Sequence, residues 1–196
     1  MSKSKPLVLA SASPRRAELL RQIGIPFEVF VPDVDESRQR GESARDTVRR
    51  LAQSKAAAGH RPGRLTLGAD TVVVLDGVVL GKPGDESEGV AMLRALGGRA
   101  HTVLTGVCLS SGETFKTRVV ATEVTFKPVS ATLATAYWRT GEGADKAGGY
   151  GIQGIGSIFV TRIEGSYSAV VGLPLAETEE LLNAFGFDPW LDRSSE

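Results

Sequence analysis

What most narrows the fold of this chain is a junction near its start. Pro6-Leu-Val-Leu-Ala10 is a short apolar run suited to a buried strand. Ser13-Pro14 follows with a strong helix start, a capping serine before a proline at the first helical position. A strand fed directly into a helix opens an α/β arrangement, and the alternation continues. Gly24 stops the helix, residues 27–31 read as a second strand, and a polar loop over 32–41 leads to a helix over 43–59. Residues 65–75 are strand-like, and Asp76-Gly77 before Val-Val-Leu signals a hairpin. A helix over 85–96 stops at Gly97-Gly98, and strands over 102–109 and 119–126 flank a turn at Ser111-Gly112. A helix over 131–139, a glycine-rich segment over 141–156, a strand over 157–163 and a helix over 175–185 complete the chain. With no repeat and no low-complexity linker, the pattern predicts an α/β fold with a mixed sheet. The length of 196 residues suits one domain or two intimate lobes.

Composition excludes several roles. Lys plus Arg and Asp plus Glu both total 23, so no global field exists to hold a polyanion. A nucleic-acid-coating role is therefore not expected, although a local cluster can still hold a small anion. Cys108 is the only cysteine, which rules out an intramolecular disulfide and a cysteine-based zinc site. The apolar stretch after the N-terminus is too short for a signal peptide, and no stretch approaches ~18 apolar residues, so the expectation is a cytoplasmic protein without a membrane span.

Charges in the wrong places mark the chemistry. In Ala10-Ser-Ala-Ser-Pro-Arg-Arg16 a helix N-terminus, the hydroxyls of Ser11 and Ser13 and two arginines together suit a phosphate. Cations there oppose the helix dipole, and Arg16 shares a face with Leu19, Leu20 and Ile23. The bland alternative is a serine cap beside two solvated arginines. On the second helix Lys55 falls on the apolar stripe of Ala44, Val48, Leu51 and Ala52. It either snorkels past the core or points into a polar cleft. Val31-Pro-Asp-Val-Asp-Glu36 sets three carboxylates after a strand, either a solvated acidic loop or hard oxygen ligands for a divalent cation. Asp70 and Thr71 interrupt the apolar run from Leu67 to Leu75, and a buried carboxylate must be paired or metal-bound. Lys82, in Gly81-Lys-Pro83, could add a phosphate contact.

Two glycine patterns mislead. Gly77 to Pro83 resembles a P-loop but is one residue short, with proline in place of the magnesium-binding hydroxyl. Gly149-Tyr-Gly151-Ile-Gln-Gly154 fits the dinucleotide pattern but leads toward a strand, where the fingerprint must open a helix. His60 and His101 lack any serine-hydrolase context, which favours water activated by a metal and a carboxylate.

The motif around Ser11 and Arg16, the Glu36 acid loop, Lys55 in Leu-Ala-Gln-Ser-Lys-Ala, and Gly-Ala-Asp70-Thr with Gly-Lys82-Pro together resemble the Maf family. Lys146-Ala-Gly-Gly-Tyr-Gly-Ile-Gln153 and Gly165-Ser-Tyr-Ser-Ala-Val-Val-Gly-Leu-Pro174 carry the same resemblance. It implies a single Maf domain over residues 1–196, with its core over about 7–185. The implied fold is two-lobed, related to the inosine triphosphate pyrophosphatases, with the active site in a cleft between the lobes. The implied activity is hydrolysis of nucleoside triphosphates between the α and β phosphates with magnesium, manganese or cobalt. By the same resemblance Asp70 is the catalytic base, Glu36 a metal-binding and catalytic acid, and Arg16, Lys55 and Lys82 phosphate contacts. Arg15, Thr71 and Gln153 resemble the pyrimidine branch, which implies dTTP and UTP as substrates. Gln153 offers a donor and an acceptor to the edge of a uracil or thymine ring. Gly149 stands where alanine is expected. The resemblance also leaves room for a homodimer, and for a non-catalytic regulator of septum formation that keeps the pocket and loses the acids.

Overall fold

The computed structural model describes residues 7–191. In chain order the elements are β1 (Leu7–Ala10), α1 (Pro14–Gln22), β2 (Phe27–Phe30), α2 (Ala44–Ala58), β3 (Thr66–Leu75), β4 (Val78–Leu80) and α3 (Glu86–Leu96). They continue with β5 (Ala100–Ser110), β6 (Phe115–Phe126), α4 (Ala131–Trp138), β7 (Val160–Glu164), α5 (Tyr167–Val171) and α6 (Leu175–Asn183). Seven strands form one mixed sheet in the order β2-β1-β3-β5-β6-β7, with β4 paired to β3. β1 runs parallel to both β2 and β3, while β3–β4 and β6–β7 are antiparallel. All four residues of β1 are buried, as expected for a strand flanked on both edges by parallel neighbours.

The chain divides into two compact units. The first comprises Met1–Asp70, Thr105–Val120 and Gly172–Glu196, and the second Thr71–Leu104 and Ala121–Val171. In the first, α2 lies very close to the sheet because two strand positions carry no side chain. A Cβ on Gly68 would sit 2.3 Å from the Ala52 carbonyl oxygen, and one on Gly106 would sit 2.3 Å from that of Val48. Ser43 and Asp46 cap α2, the Ser43 hydroxyl accepting from the Asp46 amide. In the second unit, Asp76 (φ 51) and Gly77 (φ 78) form the left-handed pair of a tight hairpin, as their residue types require.

The expected strand over 157–163 starts later than predicted. Residues 155–159 form a 3-10 turn, and β7 begins at Val160, where pairing with Phe126 on β6 begins. The short helix α5 lies where the sequence offered no periodic signal.

Candidate functional site

Within the first unit, α1 presents Arg16 among buried Ala17, Leu19 and Leu20. The guanidinium does not snorkel. It donates from Nε to the Gly172 carbonyl at 2.8 Å and from Nη1 to the Ser11 hydroxyl at 3.1 Å. Ser11 also accepts from the Ser13 amide at 3.2 Å. Ser13 occupies the N-cap position with extended backbone, yet its side chain makes no capping hydrogen bond. Ser11, not Ser13, thus organises this junction. Burial pushes the Arg16 guanidinium below its ordinary pKa, Asp70 opposes the shift, Arg15 adds to it, and Glu36 opposes it. Arg15, one position earlier, is half-buried.

α2 and β3 supply the centre. Lys55 is 6% exposed and Asp70 8%. The Lys55 ammonium lies 2.7 Å from Asp70 Oδ1 and 2.7 Å from Glu36 Oε1. The close approach of α2 at Gly68 makes this reach possible, because Lys55 precedes Ala56, whose backbone nitrogen packs against that glycine. The apolar-stripe lysine is therefore one half of a buried ion pair. Glu36 has a side chain 57% exposed and turns from the acid loop onto the same ammonium. Asp35 behaves differently, its carboxylate accepting from the Ser37 amide.

The acid loop is braced by residues whose spacing gave no signal. The Glu42 carboxylate accepts a fork from Arg50 Nε at 2.7 Å and Nη2 at 2.8 Å, and also bonds from the Gln39 amide and the Thr47 hydroxyl. Arg50 Nη2 reaches the Ser37 carbonyl at 3.0 Å, next to Glu36 in the chain. The Arg50 hydrogen bonds pull the Glu42 carboxyl down to about 2. Glu42 and Arg50 lie eight residues apart across a helix start, a separation with no periodic signature.

Thr71, Lys82 and Gln153 belong to the second unit. Thr71 is half-buried beside Asp70 on β3, and Lys82 and Gln153 are exposed. The Gly148 amide donates to the Gly81 carbonyl at 3.0 Å, tying the turn that carries Lys82 to the glycine-rich segment that carries Gln153. Gly149 has a φ of 71°, a left-handed conformation that alanine adopts only with strain, so glycine is the better residue at this position.

Glu36 and Asp70 are two carboxylates that could hold a cation together, since both converge on one ammonium. Among the described residues no group of three or more His, Cys, Asp or Glu gathers for a metal. Two hard oxygen donors suit magnesium-like ions that complete their coordination from phosphate and water.

Residues 6–185 match the family described as "Maf: Maf-like protein". The chain belongs to the Maf family. It is 52% identical over 193 residues to a Saccharophagus degradans protein named dTTP/UTP pyrophosphatase, covering 95% of this chain and 92% of that one. A Vibrio parahaemolyticus protein with the same name is 52% identical over 188 residues, covering 94% of this chain and 100% of its own. Among solved structures, the Staphylococcus aureus Ham1 protein is similar at 18% identity and a TM-score of 0.40, over 63% of this chain and 71% of that one.

Proposed function

We propose that this chain is a metal-dependent nucleoside triphosphate pyrophosphatase that converts dTTP and UTP to the monophosphate and pyrophosphate. One observation carries the chemistry: a carboxylate inside a strand, Asp70, meets a buried ammonium at 2.7 Å, and a second carboxylate, Glu36, meets the same ammonium at 2.7 Å. Relatives that are 52% identical and named dTTP/UTP pyrophosphatase support the substrate.

In this reading Asp70, fixed on β3, orients water and takes its proton at a carboxylate oxygen as the water oxygen bonds to the α phosphorus. The bond from that phosphorus to the bridging oxygen breaks, and pyrophosphate leaves with the bond's electrons. Arg16, Lys55 and Lys82, with the Ser11 hydroxyl, hold the triphosphate and the charge that grows on the leaving group. Glu36, on its braced loop, is the assigned ligand of a magnesium, manganese or cobalt ion, with Asp70 beside it. Such an ion, when bound, draws charge from the triphosphate oxygens. Arg15, Thr71 and Gln153 select the pyrimidine. With this function go a cytoplasmic setting and a homodimer, the latter tested by light scattering. The described residues contain no helix long and apolar enough to cross a membrane.

Chromatography of a dTTP reaction decides the cleavage site. dTMP and pyrophosphate are expected, and dTDP with orthophosphate would overturn the reading.

A further inference from the structure

The glycine-rich segment contains a carboxylate that no sequence pattern singled out. Glu142 is half-buried, and the backbone of residues 151–156 wraps around it. Its Oε2 accepts from the Ile155 amide at 2.7 Å, and its Oε1 accepts from the Gly156 amide at 2.9 Å. Its Oε1 also accepts from the Tyr137 hydroxyl at 2.8 Å, and the oxygen of that hydroxyl accepts from the Gly151 amide at 3.0 Å. Three glycines crowd this carboxylate and its hydroxyl partner, Gly154 most closely. A Cβ on Gly154 would lie 2.1 Å from Glu142 Oε2, one on Gly151 3.1 Å from Oε1, and one on Gly156 2.9 Å from the Tyr137 hydroxyl. Glycine at 154 is what lets the segment close this tightly on the Glu142 carboxylate.

Gln153 sits in the middle of this arrangement. Gly151, two residues before it, hangs from Tyr137, and Ile155 and Gly156, just after it, hang from Glu142. Gly148 and Gly149, on the approach, both have a φ of 71°, and glycines of this kind leave a free chain many conformations. Gln153 is itself exposed, so packing does not fix its backbone.

We propose that Glu142 and Tyr137 are positioning residues for base selection, clamping the backbone on both sides of Gln153 so that its amide meets the pyrimidine edge in one geometry. The inference rests on the reading of Gln153 as a base contact made under the proposed function. A misplacement of about 1 Å can cost roughly a hundredfold in a positioned contact. Loosening the clamp should therefore lower kcat/KM for dTTP far more than for GTP, whose larger two-ring base does not place its lactam edge at the clamped position of Gln153 in this reading.

The test measures kcat/KM for dTTP and GTP in wild type, Glu142→Gln, Tyr137→Phe, Gln153→Ala and the Glu142→Gln/Gln153→Ala double variant. Amide exchange of residues 151–156 is followed in each. Glu142→Gln keeps the shape and one acceptor oxygen, while Tyr137→Phe removes one hydroxyl and serves if the first variant folds poorly. The expected result is faster exchange at Gly151, Ile155 and Gly156 with a fall of about tenfold or more in the dTTP:GTP ratio, seen mainly in dTTP. The double variant should be no worse than Gln153→Ala alone, because both act through one contact. If Gln153→Ala collapses the ratio while both clamp variants loosen the amides and leave it intact, the clamp has no positioning role and the base contact stands. If Gln153→Ala leaves the ratio unchanged, the base reading fails and takes this inference with it. Equal losses for both nucleotides in the clamp variants would show a general structural role and overturn the proposal.

Discussion

Asp70→Asn is the sharpest change that can be made in a single side chain. The amide oxygen can still accept from Lys55, which also keeps its contact with Glu36 at 2.7 Å, so the fold should survive. What disappears is the charge that takes a proton or holds a cation. Positioned acid–base groups contribute ~100- to 10,000-fold, so turnover of dTTP should fall by at least the lower figure. Near-normal turnover in a folded variant would remove Asp70 from the mechanism. Asp76→Asn, in an exposed turn where Asp76 pairs with Arg99, should leave turnover close to wild type. His101 allows a different test. It is buried, its Nε2 lies 2.9 Å from the Tyr150 hydroxyl, its Nδ1 has no hydrogen-bond partner among the described residues, and burial pushes its pKa down to about 4. Between pH 6.5 and about 4 the unfolded chain takes up a proton at this site that the folded chain refuses. Its stabilising effect is therefore complete above pH 6.5 and lost as the pH falls through that window, by on the order of 3 kcal/mol in all. Urea unfolding of His101→Phe should show that part of the acid slope flattened; an unchanged slope would mean the histidine already charges in the fold. Arg16, Lys55 and Asp70 were legible because each breaks the pattern around it. Residue pattern alone did not separate Glu36 from Asp33 or Asp35, and only the family resemblance named it, because it is the path of the loop that turns it onto Lys55.

Elements followed their periodicity closely, and the departures have local causes. Ser43 and Asp85 accept from amides of the helix's first turn as their residue types predict, whereas the serine at the start of α1 does not. Strand orientation was not readable, nor was the five-residue helix α5, which is too short to show a period. The most consequential illegible feature is the packing of α2, which depends on glycines in other elements. Gly68→Ala would push a methyl group to 2.3 Å from the Ala52 carbonyl, so α2 must move. Overpacking of this kind costs about 1–3 kcal/mol. Because the same helix carries Lys55, the shift should also lower turnover even at temperatures where the variant is fully folded. Thermal unfolding with parallel dTTP kinetics checks both effects, and full activity in a destabilised variant would uncouple the helix position from the site. Arg50→Lys offers a milder probe of the acid loop. Lysine cannot reproduce the fork to Glu42 or the added bond to Ser37, so Glu36 should lose its fixed place while the rest of α2 is unchanged. Metal titration should show a weaker apparent affinity, and identical affinity would show that the loop needs no brace.

At the scale of the whole chain, the residues held together in the first unit come from separate stretches: Ser11 and Arg16, Glu36, Lys55, Asp70 and the Gly172 carbonyl. A ligand that engages them binds only the folded state, so its affinity should appear as global stability. With an α,β-methylene analogue of dTTP at a hundred times its dissociation constant, the gain is about 2.7 kcal/mol. For a chain of this length that is roughly 5–10 °C in Tm. The gain should need a divalent cation, because Glu36 and Asp70 otherwise present two carboxylates to the charge of the triphosphate. Cation alone should give much less than cation with analogue. Arg16→Ala should shrink the shift for dTTP and GTP analogues alike, since a phosphate contact is blind to the base. Gln153→Ala should shrink it only for the dTTP analogue. Scanning calorimetry of the three proteins, with manganese or with a chelator, gives every arm. An undiminished shift in chelator would remove the cation from ground-state binding and leave the two carboxylates to be explained by Lys55 alone.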